Sequence, residues 1–309
     1  MMRVFRGLDN LPPFKNPVLT IGTFDGVHLG HAKIIERLRK KAIEVDGESI
    51  IITFDPHPRF VVAPNSTPIE LLSTSQEKIK ALQALHVDNV VIVPFTKAFS
   101  DISAEAYIRD FIVSNFHPHT IIIGYDHHFG KNRQGNYQLL ESVKATYGFQ
   151  LEEIPVQEIE HIAVSSTKIR AALHIGDIKK ANELAGKYYT LEGVVIHGEK
   201  RGRLIGFPTA NVHVGDAHKL IPANGVYAVK AYLKETVYKA MLNIGVRPTI
   251  SSSNHRSIEV NIIDFDQDIY DETLRIEFVD KLRDEIKFNG IDELIAQLTI
   301  DKQDALSRF

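Results

Sequence analysis

The first half of the chain alternates between short, continuously apolar runs and longer amphipathic segments. The apolar runs predict strands at Val18–Phe24, Ser49–Phe54, Asn89–Phe95, Thr120–Tyr125 and Gln150–Val156. The segments between them predict helices at His31–Val45, Gln76–Leu85, Ala104–Phe116 and Gly135–Tyr147. Because strands that are apolar throughout are covered on both faces, this alternation predicts a parallel sheet between helices. Ligands of such sheets bind at the carboxyl ends of the strands.

The pattern changes in the second half. Residues 165–186 predict two helical pieces that separate at Gly176. Six strand candidates follow, at Tyr189–Gly198, Pro208–Val214, Gly225–Lys234, Val237–Gly245, Ser257–Phe265 and Thr273–Leu282. Clusters of Gly, Pro, Asn and Ser separate them, which predicts a closed antiparallel barrel, and Ile291–Leu298 predicts a last helix. We expect one domain over residues 1–186 and a second over residues 187–309.

Composition excludes several classes of protein. The chain has no cysteine, which excludes disulfides, thiolate catalysis and iron–sulfur clusters. Its 36 Lys and Arg against 39 Asp and Glu argue against an electrostatic nucleic-acid binder. The apolar runs are shorter than a membrane helix, and the segment MMRVFRGLDNLPPFKN lacks the apolar core of a signal peptide. We expect a cytoplasmic protein that binds neither nucleic acid nor membrane.

The segment Gly22–His31 (GTFDGVHLGH) joins the first strand to the first helix. Free N–H groups and the helix dipole favour an anion at such a helix start. His28 and His31 are three residues apart, so they share one face of the first turn. Two imidazoles beside free N–H groups suit a phosphate that gains charge during a reaction. Structural histidines, one of them capping the helix, and a metal-binding pair stay open as alternatives.

A second candidate phosphate site is Ser165–Arg170 (SSTKIR), after the fifth strand. Hydroxyls at a helix start cap it or bind phosphate oxygens. Arg170 carries a fixed charge on a planar group that suits phosphate. In isolation the segment is typical of an ordinary N-cap. Together with the histidine turn it predicts the second half of a triphosphate site.

The barrel half carries its own candidate chemistry. Gly193–Asn211 is rich in glycine and locally basic, and Thr209 and Asn211 share a strand face. Their side-chain oxygens suit Mg²⁺, although the segment also fits a hairpin loop with solvated charges. Ser257–Ile263 alternates cleanly and puts Glu259 on its polar face. Glu259 is then either a solvated strand residue or a general base that activates a hydroxyl for attack on a γ-phosphate.

These motifs resemble those of known families. The histidine turn and the SSTKIR helix start resemble nucleotidylyltransferases, which transfer a nucleoside monophosphate from a triphosphate. Over essentially its whole length the chain resembles the bacterial bifunctional riboflavin kinase/FAD synthetase family. Four further stretches carry the resemblance: Thr53–Pro58 (TFDPHP), Gly124–Gly130 (GYDHHFG), Gly206–Asn211 (GFPTAN) and Asn243–Thr249 (NIGVRPT). Without the family, TFDPHP is typical of a rigid turn after a strand.

The resemblance implies a Rossmann-like adenylyltransferase domain followed by a six-stranded antiparallel β-barrel kinase domain with a C-terminal helix. It implies catalytic roles for His28, His31, Arg170 and Glu259. In the first domain it implies ATP contacts for Gly22, Phe24, Asp25, Gly30, Asp126, Ser165, Ser166 and Thr167, and flavin contacts for Phe54, Pro56, His57 and Pro58. In the barrel it implies ATP contacts for Gly206, Pro208, Thr209 and Asn211, the last two with Mg²⁺, and a flavin contact for Arg283.

The implied substrates are riboflavin, FMN and ATP, with FAD as the final product and Mg²⁺ as the cofactor. Other readings stay open: an FAD synthetase whose barrel binds flavin without catalysis, an enzyme for another phosphate acceptor, or a non-catalytic flavin carrier or sensor. The first is motivated by the Ser- and Asn-rich stretch Ile250–Arg256, where the family usually carries glycines. Small molecules are the expected partners, and the oligomeric state is left open.

Overall fold

The computed structural model describes residues 1–124, 127–154, 164–198, 201–246 and 256–309. The chain forms two compact units, Met1–Ser165 and Ser166–Phe309. This division lies ahead of residue 186, where the sequence pattern changes, because the intervening helices pack with the barrel. The Asn182 side chain, for example, donates to the Phe278 carbonyl at 2.9 Å and accepts from the Tyr189 N–H at 2.7 Å.

The first unit is built on a six-stranded parallel sheet. Its strands β1 to β6 are Arg3–Arg6, Val18–Ile21, Ser49–Asp55, Asn89–Pro94, Thr120–Gly124 and Gln150–Ile154. They lie in the order β1-β4-β3-β2-β5-β6, which confirms the predicted α/β sheet. The strand order reverses between β2 and β5, so the carboxyl ends of these two strands border the crevice where such sheets bind ligands.

Helices cover both faces of this sheet. They are α1 (Leu29–Glu44), α2 (Pro58–Val62), α3 (Ser75–Ala84), α4 (Lys97–Ser100), α5 (Ala104–Ala106), α6 (Ser114–Phe116) and α7 (Tyr137–Tyr147). A π-helix, Tyr107–Val113, joins α5 to α6. Successive residues of β3 point to opposite faces: Ile50 and Ile52 pack with the π-helix, and Ile51 packs with α1 and α3. Burial on both faces explains why the strands are continuous apolar runs.

The second unit begins with α8 (Ser166–Ile175) and α9 (Ile178–Ala185) and continues as a closed antiparallel barrel. The barrel strands β7 to β12 are Tyr189–Ile196, Ala210–His213, Gly225–Leu233, Thr236–Val246, Arg256–Ile262 and Thr273–Arg283. They close in the order β10-β11-β8-β7-β12-β9, which confirms the predicted closed antiparallel barrel. Two helices complete the unit, α10 (Arg201–Leu204) and α11 (Ile291–Leu306).

The short helices α2, α4 and α10 were not predicted, and two further elements differ from the sequence prediction. Strand β1 was not predicted, because its four residues are mostly exposed and it is held by backbone pairing to β4 at the sheet edge. Helix α11 was predicted to end at Leu298 but continues to Leu306. Its extra turns are stabilised by Asp301 and Ala305, which are both buried, and a buried aspartate gives no apolar signal in the sequence.

Candidate active sites

The turn between β2 and α1 is tightly wound. Phe24, Gly26 and Val27 have positive φ angles of 48°, 80° and 41°. A Cβ on Gly26 would also lie 2.9 Å from Cδ1 of Leu72, so both backbone conformation and space require glycine there. The Gly26 N–H donates to Oγ of Ser73 at 3.0 Å. The turn is therefore seated against the segment that precedes α3.

Asp25, predicted to contact ATP, is 2% exposed and holds the same segment. Its carboxylate accepts hydrogen bonds from the Leu72 N–H at 3.0 and 3.1 Å and from the Ser73 N–H at 3.1 Å. These bonds give Asp25 a structural function in the turn, and its predicted contact with ATP stays a prediction.

His28 and His31 lie together at the start of α1. The His28 Nδ1 accepts from the His31 N–H at 3.4 Å and so caps the helix. The two rings stack with centroids 3.8 Å apart and planes 16° apart, and the Phe24 ring lies 5.0 Å from His31. Because Nδ1 of His28 accepts, a neutral ring carries its proton on Nε2 and can donate from there.

The predicted anion site lies at the start of α1, where His28 caps the helix through Nδ1 and where the helix end favours anions. Gly22 continues the sheet by donating to the Ile52 carbonyl at 3.0 Å, and Gly30 is the second residue of α1. No cluster of three or more metal-ligating His, Cys, Asp or Glu side chains occurs among the described residues.

The SSTKIR motif is divided between the two units. Ser165 is the last residue of the first unit. Val164, the residue before it, lies near the histidine turn, because a Cβ built on Gly30 would be 3.9 Å from the Val164 carbonyl oxygen. Ser166, Thr167 and Arg170 belong to α8 of the second unit. Their predicted pairing with the histidine turn stays a prediction. Asp126, predicted to contact ATP, lies outside the described residues.

The predicted flavin stretch of the first unit leaves β3 and enters α2. Phe54 is buried in the core, with its ring 5.3 Å from that of Phe95. The Asp55–Pro56 peptide bond is cis. His57 caps α2 by accepting from the Arg59 N–H at 3.2 Å, and Pro58 is the first residue of α2. The stretch is thus a structured turn, and its contact with flavin stays a prediction.

Sequence reasoning missed a buried lysine beside this turn. Lys78 of α3 is 9% exposed, and its Nζ donates to Oγ1 of Thr53 at 3.4 Å. Burial lowers the pKa of Lys78, and the carboxylates of Asp25 and Asp55 oppose that shift. The available signal was its spacing, since Lys78 and Leu82 are four residues apart on the buried face of α3.

The barrel contains a cavity of about 560 Å³ whose wall brings together three of the predicted residues. Thr209, Glu259 and Arg283 line it, together with Asn243 and Asn261. Much of the remaining wall is apolar: Leu204, Ile205, Phe207, Phe288, Leu294 and Leu298. A cavity with a polar end and an apolar wall suits a ligand that has a flat aromatic part and a hydroxylated part.

At the polar end, Oγ1 of Thr209 lies 3.5 Å from Oε2 of Glu259. Asn211 lies opposite Glu259 in the register of β8 and β11. A Cβ on Gly198 would displace the side-chain amide of Asn211, so the two residues approach closely there. The Asn261 amide donates to the Pro208 carbonyl at 2.7 Å and fixes the residue before Thr209.

This cluster fits Mg²⁺ by its chemistry, because a hydroxyl, an amide oxygen and a carboxylate are hard oxygen donors.

Pro208 and Thr209 also border a second cavity of about 330 Å³ on the barrel. Gly206, with a φ of 80°, ends the turn that follows α10.

Arg283, which lines the cavity, also forms a buried ion pair. Its Nε and Nη2 donate to the two carboxylate oxygens of Asp301 at 2.8 and 2.6 Å. Asp301 is 1% exposed and also accepts from the Gln297 amide at 2.9 Å. Arg283 thus anchors α11, whose Leu294 and Leu298 line the cavity. Its predicted flavin contact stays a prediction.

The two candidate sites define a class: a parallel-sheet module with a histidine pair at its first strand–helix turn, followed along the chain by a barrel module with an oxygen-donor cluster. A family model described as FAD synthetase matches residues 12–168, and one described as riboflavin kinase matches residues 185–309. The chain belongs to the bifunctional riboflavin kinase/FMN adenylyltransferase family.

Full-length relatives carry that name. The one from Listeria monocytogenes is 38% identical over 295 residues, covering 95% of this chain and 93% of the relative. The one from Haemophilus influenzae is 38% identical over 311 residues, covering 100% of this chain and 99% of the relative. The Escherichia coli K12 relative is 33% identical over 311 residues, covering 100% and 98%.

A solved structure has the same fold. It is described as a macrolide-efflux protein from Streptococcus pneumoniae, is 29% identical, and has a TM-score of 0.88 over 98% of this chain and 99% of that one. In the described parts of this chain, every helix is too short or too polar to cross a membrane.

Proposed function

We propose that this chain makes FAD in two steps, phosphorylating riboflavin to FMN at the barrel site and adenylylating FMN at the sheet site. ATP is the donor in both. The observation that carries the proposal is that both sets of site residues occur in one chain: Glu259 beside Thr209 at the barrel cavity, and the stacked His28–His31 pair at α1. The names of the full-length relatives support both activities.

In the barrel, the 5′-hydroxyl of riboflavin attacks the γ-phosphorus of ATP. Glu259 accepts the hydroxyl proton, the bond from the γ-phosphorus to the bridging oxygen breaks, and ADP leaves. Thr209 and Asn211 would hold Mg²⁺, which supplies neutralisation of phosphate charge when bound. The apolar wall of the cavity excludes water from the ring end of the flavin.

In the sheet unit, an oxygen of the FMN phosphate attacks the α-phosphorus of ATP, and the bond to pyrophosphate breaks. The nucleophile is already anionic, so no strong base is needed. Catalysis then consists of positioning the reactants and stabilising charge. His28, donating from Nε2, and His31 stabilise charge on the phosphates at the start of α1. The roles predicted for Ser166, Thr167 and Arg170 stay predictions, and we place both reactions in the cytoplasm, where ATP is supplied.

One assay tests the proposal: purified protein with riboflavin and Mg–ATP, with riboflavin, FMN and FAD separated by chromatography over time. FMN that rises and then yields to FAD is the expected result. FAD from supplied FMN, without FMN from riboflavin, would indicate a barrel that binds flavin without catalysis. Failure to turn over either flavin would contradict both activities and favour a carrier or an enzyme for another acceptor.

A further inference from the structure

The segment Leu72–Lys78 is tied to both halves of the adenylyl-transfer site. On one side, Leu72 and Ser73 hold the turn that carries the histidines, through Asp25 and Gly26. On the other side, Oγ of Ser75 donates to the carboxylate of Asp55 at 2.6 Å, at the end of β3 where the predicted flavin stretch begins. The segment therefore sets the distance between the ATP turn and the flavin stretch.

Lys78 lies where these connections meet. Its Nζ donates to Oγ1 of Thr53, and Thr53 in turn donates to the Thr23 carbonyl at 3.1 Å, so lysine, β3 and the ATP turn form one chain of hydrogen bonds. The carboxylates of Asp25 and Asp55 both act electrostatically on the Lys78 ammonium. A buried lysine is rare unless it is paired, and these two carboxylates favour its charged form.

We propose that Lys78 is a positioning residue of adenylyl transfer, whose ammonium holds the ATP turn and the flavin stretch in register through Thr53, Asp25 and Asp55. This inference rests on the proposed function of the sheet site. Lys78 reaches the substrates only through these neighbours. Its loss should therefore weaken the binding of both ATP and FMN, whereas loss of a residue that contacts one substrate should affect mainly that substrate.

The test is Lys78→Met, which keeps the length of the side chain but removes its charge. We expect the KM values of both ATP and FMN to rise, with kcat/KM for FAD formation about 10- to 100-fold lower. FMN formation by the barrel of the same protein should stay within about twofold of wild type. Binding of FMN measured without ATP, by quenching of flavin fluorescence, should weaken in parallel.

Two further variants sharpen the test. Lys80→Met, an exposed lysine on the same helix, should behave as wild type. Thr53→Val removes only the hydroxyl that joins Lys78 to the ATP turn, and it should raise both KM values about fivefold. If Lys78→Met fails to fold, Thr53→Val decides the question.

Normal KM values in Lys78→Met or Thr53→Val, or an equal loss of both activities, would overturn the role of Lys78. If the wild-type protein itself makes no FAD from FMN and Mg–ATP, the proposed function fails instead. These two failures are distinct, because the wild-type assay is read before any variant.

Discussion

Some residues at the two sites are proposed to contact the ligands, and others hold those residues in place. His28 is proposed to contact phosphate, and its Nδ1 caps α1 as well. Arg283 resembles a ligand contact in the sequence, yet its guanidinium is engaged by Asp301. The partner of a long side chain is a tertiary fact, and no spacing along the chain predicts it.

His28→Ala should abolish most FAD formation and leave FMN formation intact. Loss of one preorganised donor to a phosphate that gains charge should lower kcat for FAD formation by about 100-fold. The measurement is FAD formed from FMN and Mg–ATP, with FMN formed from riboflavin in the same preparation as the control. Equal loss of both products would contradict two separate sites for the two reactions.

Glu259→Gln should have the opposite effect. The amide keeps the shape of the side chain but cannot accept the hydroxyl proton, so FMN formation should slow by about 100- to 10,000-fold. FAD formation from supplied FMN should be unchanged. A variant that still phosphorylates riboflavin at the wild-type rate would remove Glu259 from the mechanism.

At the scale of single residues, the sequence predicted those site residues that a local pattern of apolar and polar positions marks. The alternation of Ser257–Ile263 places Glu259 on the polar face, and the structure brings it to Thr209 at the cavity. The burial of Lys78 was not predicted, because a lysine in a charged helix is expected to be solvated until its partners on β3 and in the ATP turn are known.

At the scale of elements, strand and helix types were predictable wherever a strand is apolar on both faces or alternates cleanly. The short edge strand β1 was not predictable, because backbone pairing to β4 holds it in the sheet. The last turns of α11 were not predictable either, because a buried ion pair stabilises them. The domain boundary expected at residue 186 stays a prediction, and the side chain of Asn182 joins α9 to the barrel.

Helix α11 provides a prediction at this scale. Asp301→Asn should lower the free energy of unfolding of the barrel unit by about 3 kcal/mol, because it breaks a buried ion pair. The KM for riboflavin should rise as well, since α11 forms part of the cavity wall. Urea unfolding and kinase kinetics measure the two effects, and Asp304→Asn, at an exposed position of the same helix, is the matched control. Unchanged stability in Asp301→Asn would show that the ion pair does not anchor α11.

At the scale of the whole molecule, the chain is two compact units, and the proposed reaction sequence joins them only through FMN. FMN is the product of one site and the substrate of the other. A variant that lacks adenylylation should therefore supply FMN to a variant that lacks the kinase activity, once FMN leaves the barrel.

The most direct test is to mix purified His28→Ala and Glu259→Gln proteins with riboflavin and Mg–ATP and to follow FAD by chromatography. Alone, the first should stop at FMN and the second should leave riboflavin unchanged. Mixed in equal amounts, they should form FAD after a lag in which FMN accumulates. A mixture that forms no FAD, with each variant lacking both activities, would contradict the account of two separate sites in one chain.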